Sequence, residues 1–245
     1  MTMHTEMERI VPVAGAYNIR DLGGYATTDG RTTRWGAMFR ADGLHRLSEE
    51  DKRLLEERGV RTVVDLRHAR ELEAKRNAFA DSDTVEYVHI SLLNPATPGV
   101  REVRDLGDLY INLLDGAQGE LRLVFETLAA APGSAALFHC AAGKDRTGVV
   151  AGLLLDLAGV PHDVIADDYA MTAACIEPIL DELREGRPEG MAREAYERYL
   201  ESEPEFMLRM LQHLEATYGG AAAYLRAIGV AEADVARLRE KLVGQ

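Results

Sequence analysis

Apolar positions fall into two rhythms along this chain. Short β-branched runs alternate with longer stretches whose apolar residues recur every three or four positions. Val60–Leu66 reads VRTVVDL and predicts a strand covered on both faces. Val85–Ile90 and Ala135–His139 predict two more strands. Residues 10–40 read as extended segments and turns. There Asp29-Gly30 is a two-residue hairpin signal, and Trp35–Phe39 is the strand that follows it.

The helical rhythm begins at Ser48, with Asp51 three residues on as a variant of the capping box. Gly59 stands where a helix ends in the left-handed conformation. Helices are expected over 67–78, 102–114 and 119–130. Asn94–Gly99 carries two prolines and a glycine and is expected to be a loop. Thr147–Ala158 (TGVVAGLLLDLA) is apolar almost all round, which predicts a central buried helix ended by Gly159 and Pro161. Beyond 162 the chain reads as helical and more charged, with a break near Gly186-Arg187-Pro188 and a helix-turn-helix over 221–243. Strands alternating with helices predict an α/β fold with a central, largely parallel sheet flanked by helices. Residues 1–245 are expected to form a single domain, with 162–218 as a helical insertion or lid within it.

At 245 residues and 47% hydrophobic, the chain can bury a sizeable core without disulfides or metals. Its two cysteines, Cys140 and Cys175, are too few for a disulfide framework and form no C-x-x-C pair. Cys175 is expected to be a buried small hydrophobe. The net charge of −13 repels nucleic acid and anionic lipid surfaces, so no nucleic-acid partner is expected. A phosphorylated substrate would be repelled too, unless the site is locally basic. Arg20, Arg34, Arg40, Arg61, Arg67 and Arg70 supply that patch only if the fold gathers some of them. Met1–Arg9 lacks the basic start and apolar core of a signal peptide. No apolar run approaches the roughly 18 residues of a membrane span. The expected location is the cytoplasm.

The stretch with chemistry is His139-Cys140-Ala141-Ala142-Gly143-Lys144-Asp145-Arg146-Thr147-Gly148. It leaves an expected buried strand and enters an expected buried helix. Such a junction aims backbone N–H groups, and the positive end of the helix, into one concavity that suits a tetrahedral oxyanion. Five residues separate Cys140 from Arg146, so the loop can curl with the sulfur beneath its centre and the guanidinium closing the far side. Ala141, Ala142 and Gly143 leave the N–H groups unobstructed, and Gly143 permits a left-handed turn. Positive surroundings favour thiolate over thiol. Cys140 is therefore expected to attack phosphorus, and Arg146 to hold the equatorial oxygens through its planar fork. Thr147 is expected to donate its hydroxyl to the sulfur, and His139 to orient the loop by bonding to backbone. No metal or other cofactor is called for, because the cations are built in.

The leaving oxygen needs a proton, so a carboxylic acid belongs within hydrogen-bond reach. Asp145 lies in the loop itself. Asp65 ends the strand VRTVVDL, and strand carboxyl ends face the crevice in open α/β sheets. Asp105 and Asp108 are further candidates. Against these stand structural roles: an ion pair with Arg67 or Arg70 for Asp65, and a helix cap for Asp145.

HCAAGKDRTG resembles the signature of the atypical bacterial protein tyrosine phosphatases of dual or triple specificity. Asn18-Ile19-Arg20-Asp21-Leu22-Gly23-Gly24, Phe39-Arg40, Asp65-Leu66-Arg67 and Tyr218-Gly219-Gly220 with Tyr224-Leu225 look like that family's flanking motifs, so the likeness runs over about residues 10–243. The resemblance implies a cysteine-phosphatase fold and hydrolysis of phosphotyrosine in proteins, extending in some members to phosphoserine, phosphothreonine or phosphoinositides, with inorganic phosphate as product. It makes Cys140 the nucleophile and Arg146 the clamp, gives Lys144 and Asp145 a part in specificity and acid catalysis, and counts Arg40 and Arg67 among substrate-binding residues. A Trp-Pro-Asp acid loop is absent here as in the family; the one tryptophan is Trp35. Other readings of a cysteine in such a loop are a sulfurtransferase of the rhodanese kind, a phosphate-binding module without turnover, and a phosphotransferase.

Overall fold

The computed structural model describes residues 9–92, 105–130, 133–187 and 189–244. Five strands pair into one sheet: β1 (Arg20–Asp21), β2 (Met38–Ala41), β3 (Val60–Asp65), β4 (Glu86–His89) and β5 (Ala135–His139). Their spatial order is β1-β2-β5-β3-β4, and only the β1–β2 pairing is antiparallel. The register aligns Ala41, His139 and Asp65 across the three middle strands. Their carboxyl ends thus finish level with one another, and Cys140 is the next residue out.

Helices cover both faces of the sheet. Alternation on β5 sends Ala136 and Phe138 into the larger core and Ala135 and Leu137 into the smaller one. The smaller core packs under α1 (Glu49–Glu57), with Leu55, Phe39 and Val63 at its centre. The capping box at Ser48 forms as expected: Asp51 N donates to Ser48 Oγ, and the Asp51 carboxylate accepts from Ser48 N. Gly59 takes φ +88°, the left-handed value its position calls for.

The larger core surrounds α5 (Asp145–Ala158), which follows α2 (Ala69–Ala74), α3 (Leu106–Gly116) and α4 (Gln118–Ala130) in the chain. Nearly all side chains of α5 are buried, as an all-round apolar helix requires. It begins at Asp145, two residues earlier than expected, because the loop itself winds into the first turn. Beyond it come α6 (His162–Ala170), α7 (Thr172–Ile176), α8 (Leu180–Glu185), α9 (Arg193–Leu200), α10 (Pro204–Tyr218), α11 (Ala221–Ala227) and α12 (Glu232–Val243). Of these, α6 and α10 pack into the larger core through Ile165, Tyr169, Met207 and Met210. In the middle segment between them, Ile176 and Ile179 are buried and Tyr199 packs against the same core.

Three expected elements shift. The strand placed at Trp35–Phe39 runs from Met38 to Ala41, because Trp35 and Gly36 form a turn with Gly36 at φ +68°. The Asp29-Gly30 hairpin closes through a single antiparallel bridge, Ala26 to Thr32. The helix expected over 67–78 is confined to Ala69–Ala74, where His68 and Glu71 form a reciprocal cap. The expected loop at Asn94–Gly99 and the start of the helix at 102 lie outside the described residues. Among the described residues no helix is long and apolar enough to cross a membrane.

Candidate active site

Three successive carbonyls of the loop after β5 are tied from behind. Ala141 O accepts from Gly43 N at 2.9 Å. Ala142 O accepts from Asn18 Nδ2 at 3.0 Å. Gly143 O accepts from Asn18 Nδ2 at 3.2 Å and from the Arg40 guanidinium at 2.9 Å. A trans peptide points its N–H opposite its C=O. With every carbonyl of the run drawn back, the amides of Ala142, Gly143 and Lys144 face the other way, toward the cavity. Gly143 adopts φ +66°, and a Cβ there would stand 2.6 Å from Ala41 O, so only glycine fits this bend. The N-terminus of α5 adds its dipole to the same ring of donors.

Cys140 lies at the floor of a cavity of about 350 Å³, only 2% exposed, with Ala141, Ala142, Lys144, Asp145 and Arg146 around it. Arg146 is buried, and its two terminal nitrogens grip the Glu71 carboxylate at 2.6 and 2.9 Å. Burial pulls the guanidinium's pKa down, but Glu71 and the charge of Cys140 more than reverse this, so it stays cationic. Glu71 is itself fixed by the cap of α2, where it accepts from His68 N at 2.7 Å. A carboxylate pinned by backbone thus holds the loop's arginine in one orientation. Thr147 is fully buried, and its hydroxyl has no hydrogen-bond partner among the described residues.

The two leading carboxylates are placed very differently. Asp145 is 27% exposed at the cavity wall. Its Oδ1 accepts from Tyr110 OH at 2.7 Å, and Tyr110 OH in turn meets Tyr169 OH at 2.6 Å. Asp65 is fully buried and absent from the cavity wall. Around it stand Arg67 in a two-pronged bond, Asn77, Tyr87 and His139. Burial pushes the Asp65 carboxyl up, yet His139 and Arg67 hold it far below the usual carboxylate range. Asp105 caps α3 and pairs with Arg209 together with Asp108, outside the cavity wall.

The basic residues separate in the same way. Arg40 is buried behind the loop, bound to Asp168 and Gly143 O, and does not reach the cavity. Arg67 lines the cavity, but Asp65 and the carbonyl of Lys75 occupy its guanidinium. Lys144 turns its ammonium to the carbonyls of Tyr199 and Glu201 at the end of α9. His139 points Nδ1 at the carbonyl of Cys140, 3.0 Å away, and Nε2 at Asn77. Arg34, Arg61 and Arg70 are exposed. Cys175 is half-buried, not buried, with Arg20 NH1 3.7 Å from its sulfur. Ile176, Leu183, Tyr196 and Leu200 of the middle segment form the opposite wall.

Sequence reasoning missed Glu71, Asn18 as a loop brace, Tyr110 and Asp168. The H-x-x-E spacing at His68–Glu71 was the only local signal, and it marks a helix start, not a partner 75 residues away.

A thiol under amides between a strand and a helix, faced by a fixed guanidinium, defines a cysteine-dependent phosphatase. The chain belongs to the tyrosine phosphatase family, whose model matches residues 11–244. It is 35% identical to a tyrosine-protein phosphatase of Nostoc commune, over 84% of this chain and 74% of that protein. It is 28% identical to the triple specificity protein phosphatase PtpB of Mycobacterium tuberculosis, over 94% of this chain and 98% of that protein. A crystal structure of P. aeruginosa TpbA aligns with it at 16% identity and a TM-score of 0.31, over 76% of this chain and 96% of that one.

Proposed function

We propose that this phosphatase hydrolyses phosphotyrosine in proteins, and phosphoserine or phosphothreonine as well, through a cysteinyl-phosphate at Cys140. Support for the wider range comes from the triple-specificity relative, which matches almost end to end. The Cys140 sulfur attacks phosphorus, forming the S–P bond as the P–O ester bond breaks. The Asp145 carboxyl gives its proton to the departing oxygen. Arg146 and the amides of residues 142–144 hold the three equatorial oxygens throughout. Water then attacks phosphorus, its proton passes to the Asp145 carboxylate, and the S–P bond breaks to release inorganic phosphate. Thr147, whose buried hydroxyl has no other partner among the described residues, is the donor that steadies the departing thiolate.

One observation carries this reading: Cys140, Asp145 and Arg146 share one cavity at the strand–helix junction, whereas Asp65 is walled off from it. Cys140→Ser is expected to abolish turnover of p-nitrophenyl phosphate while vanadate still binds. Turnover by that variant at the wild-type rate would refute the assignment. Thiosulfate:cyanide transfer, the mark of the rhodanese reading, is expected to be absent.

A further inference from the structure

His45, Arg46 and Lys75 line the same cavity as Cys140 but take no part in the proposed chemistry. Facing them from α8 is Glu182. Its Oε2 accepts from Arg46 at 2.7 Å, and its Oε1 accepts from Lys75 Nζ. The Arg46 guanidinium and the Lys75 backbone are braced on the body of the protein. Arg46 lies 3.7 Å from Asp42 and over the Tyr17 ring, and the backbone carbonyl of Lys75 holds Arg67. His45 completes the corner with a buried Nδ1 that has no hydrogen-bond partner among the described residues. Burial, with Arg46 and Lys75 beside it, pushes its pKa down to about 4, so the ring is neutral at pH 7.

The corner therefore already holds one carboxylate, supplied by the protein itself. Arg46, Lys75 and Glu182 are 28%, 47% and 39% exposed, so the pairing is solvated and weak. An incoming carboxylate can exchange with it at little cost. We propose that Arg46 and Lys75 form a subsite for an acidic side chain of a phosphopeptide, with Glu182 as the internal group it displaces. This rests on catalysis at Cys140 and adds a sequence preference to it. A peptide carboxylate is a like-for-like replacement for Glu182. A polyphosphorylated headgroup would call on Lys144, whose ammonium is bound to the carbonyls of Tyr199 and Glu201.

The test uses phosphotyrosine peptides with alanine flanks, against the same peptides bearing one glutamate within two residues on either side. The readout is the ratio of kcat/KM for glutamate and alanine peptides within each protein, so any general loss of catalytic power cancels. The wild type is expected to favour the best glutamate position about fivefold. In the Arg46→Gln/Lys75→Gln double variant the ratio is expected to fall to near one. Glu182→Gln is expected to raise it two- to threefold through KM, and this arm stands if the double variant does not fold. A wild-type ratio near one at every position overturns the proposal, as does a ratio that survives in the double variant. If the double variant instead loses only activity on phosphatidylinositol phosphate vesicles, the corner belongs to a lipid headgroup and the proposal is wrong. Failure of the wild type to turn over p-nitrophenyl phosphate would sink the Cys140 assignment instead.

Discussion

At the scale of single residues, environment decides which carboxylate can do acid chemistry. Asp65 and Asp145 both sit next to the loop in space or in sequence, yet only Asp145 reaches the cavity. Asp65 is spent as the hub beneath the strand ends, ionised by its partners and unable to hold a proton for a leaving group. Asp145 accepts from Tyr110 OH and lies 3.3 Å from the Lys144 ammonium; the Tyr110 hydroxyl stays protonated because burial and the nearby Asp145 charge raise its pKa well above the ordinary value. Asp145→Asn removes the exchangeable proton and keeps the shape. It should slow phenyl phosphate by about 100-fold or more, in line with a general-acid contribution. Under the same conditions 2,4-dinitrophenyl phosphate, whose leaving group needs no proton, should slow less than about tenfold. An equal loss on both substrates would remove Asp145 from that role.

At the scale of elements, the loop is built by what stands behind it. Much of this was legible: a β-branched strand, small residues, then an apolar helix placed the junction, and the Cys140-to-Arg146 spacing marked the two ends of a loop that lines one cavity. The capping box at Ser48 and the turn at Gly59 were local patterns, so they read correctly. The braces were not legible, because Asn18 and Arg40 meet residues 142 and 143 from more than a hundred positions away. Arg40 and Lys144 looked like free cations for the same reason: no sequence window shows that Asp168 and the end of α9 already hold them. Gly143 is where the local and distant demands meet. Gly143→Ala must take up φ +66° and press a methyl group against the backbone of Ala41 and Asp42. The expected result is loss of kcat by more than 100-fold, with a folded protein by circular dichroism. Near-normal turnover in that variant would mean the amide ring does not need this bend.

At the scale of the whole molecule, a buried ion cluster joins the sheet to the helices that follow the loop. Asp168 on α6 pairs with Arg20 of β1 and Arg40 of β2, and accepts from Tyr25 OH at 2.6 Å. All four are essentially unexposed. Removing the one carboxylate would leave two guanidiniums buried without a counter-ion, which costs about 3–5 kcal/mol for a broken buried pair. Burial pushes the Asp168 carboxyl up, but Arg20 and Arg40 hold it below the usual range. A group whose pKa is depressed by folding stabilises the native state in full above its unfolded value, about 3.9. That contribution is lost as pH falls below this value and through the folded one. Asp168→Asn should therefore be far less stable than wild type in urea at pH 7, and the gap should narrow as the pH drops below about 4. Because Arg40 also holds the Gly143 carbonyl, the same variant should lose phosphatase activity before it unfolds. A stability gap under about 1 kcal/mol at pH 7, or one that stays constant down to pH 3, would show that the cluster is not what couples the sheet to the loop.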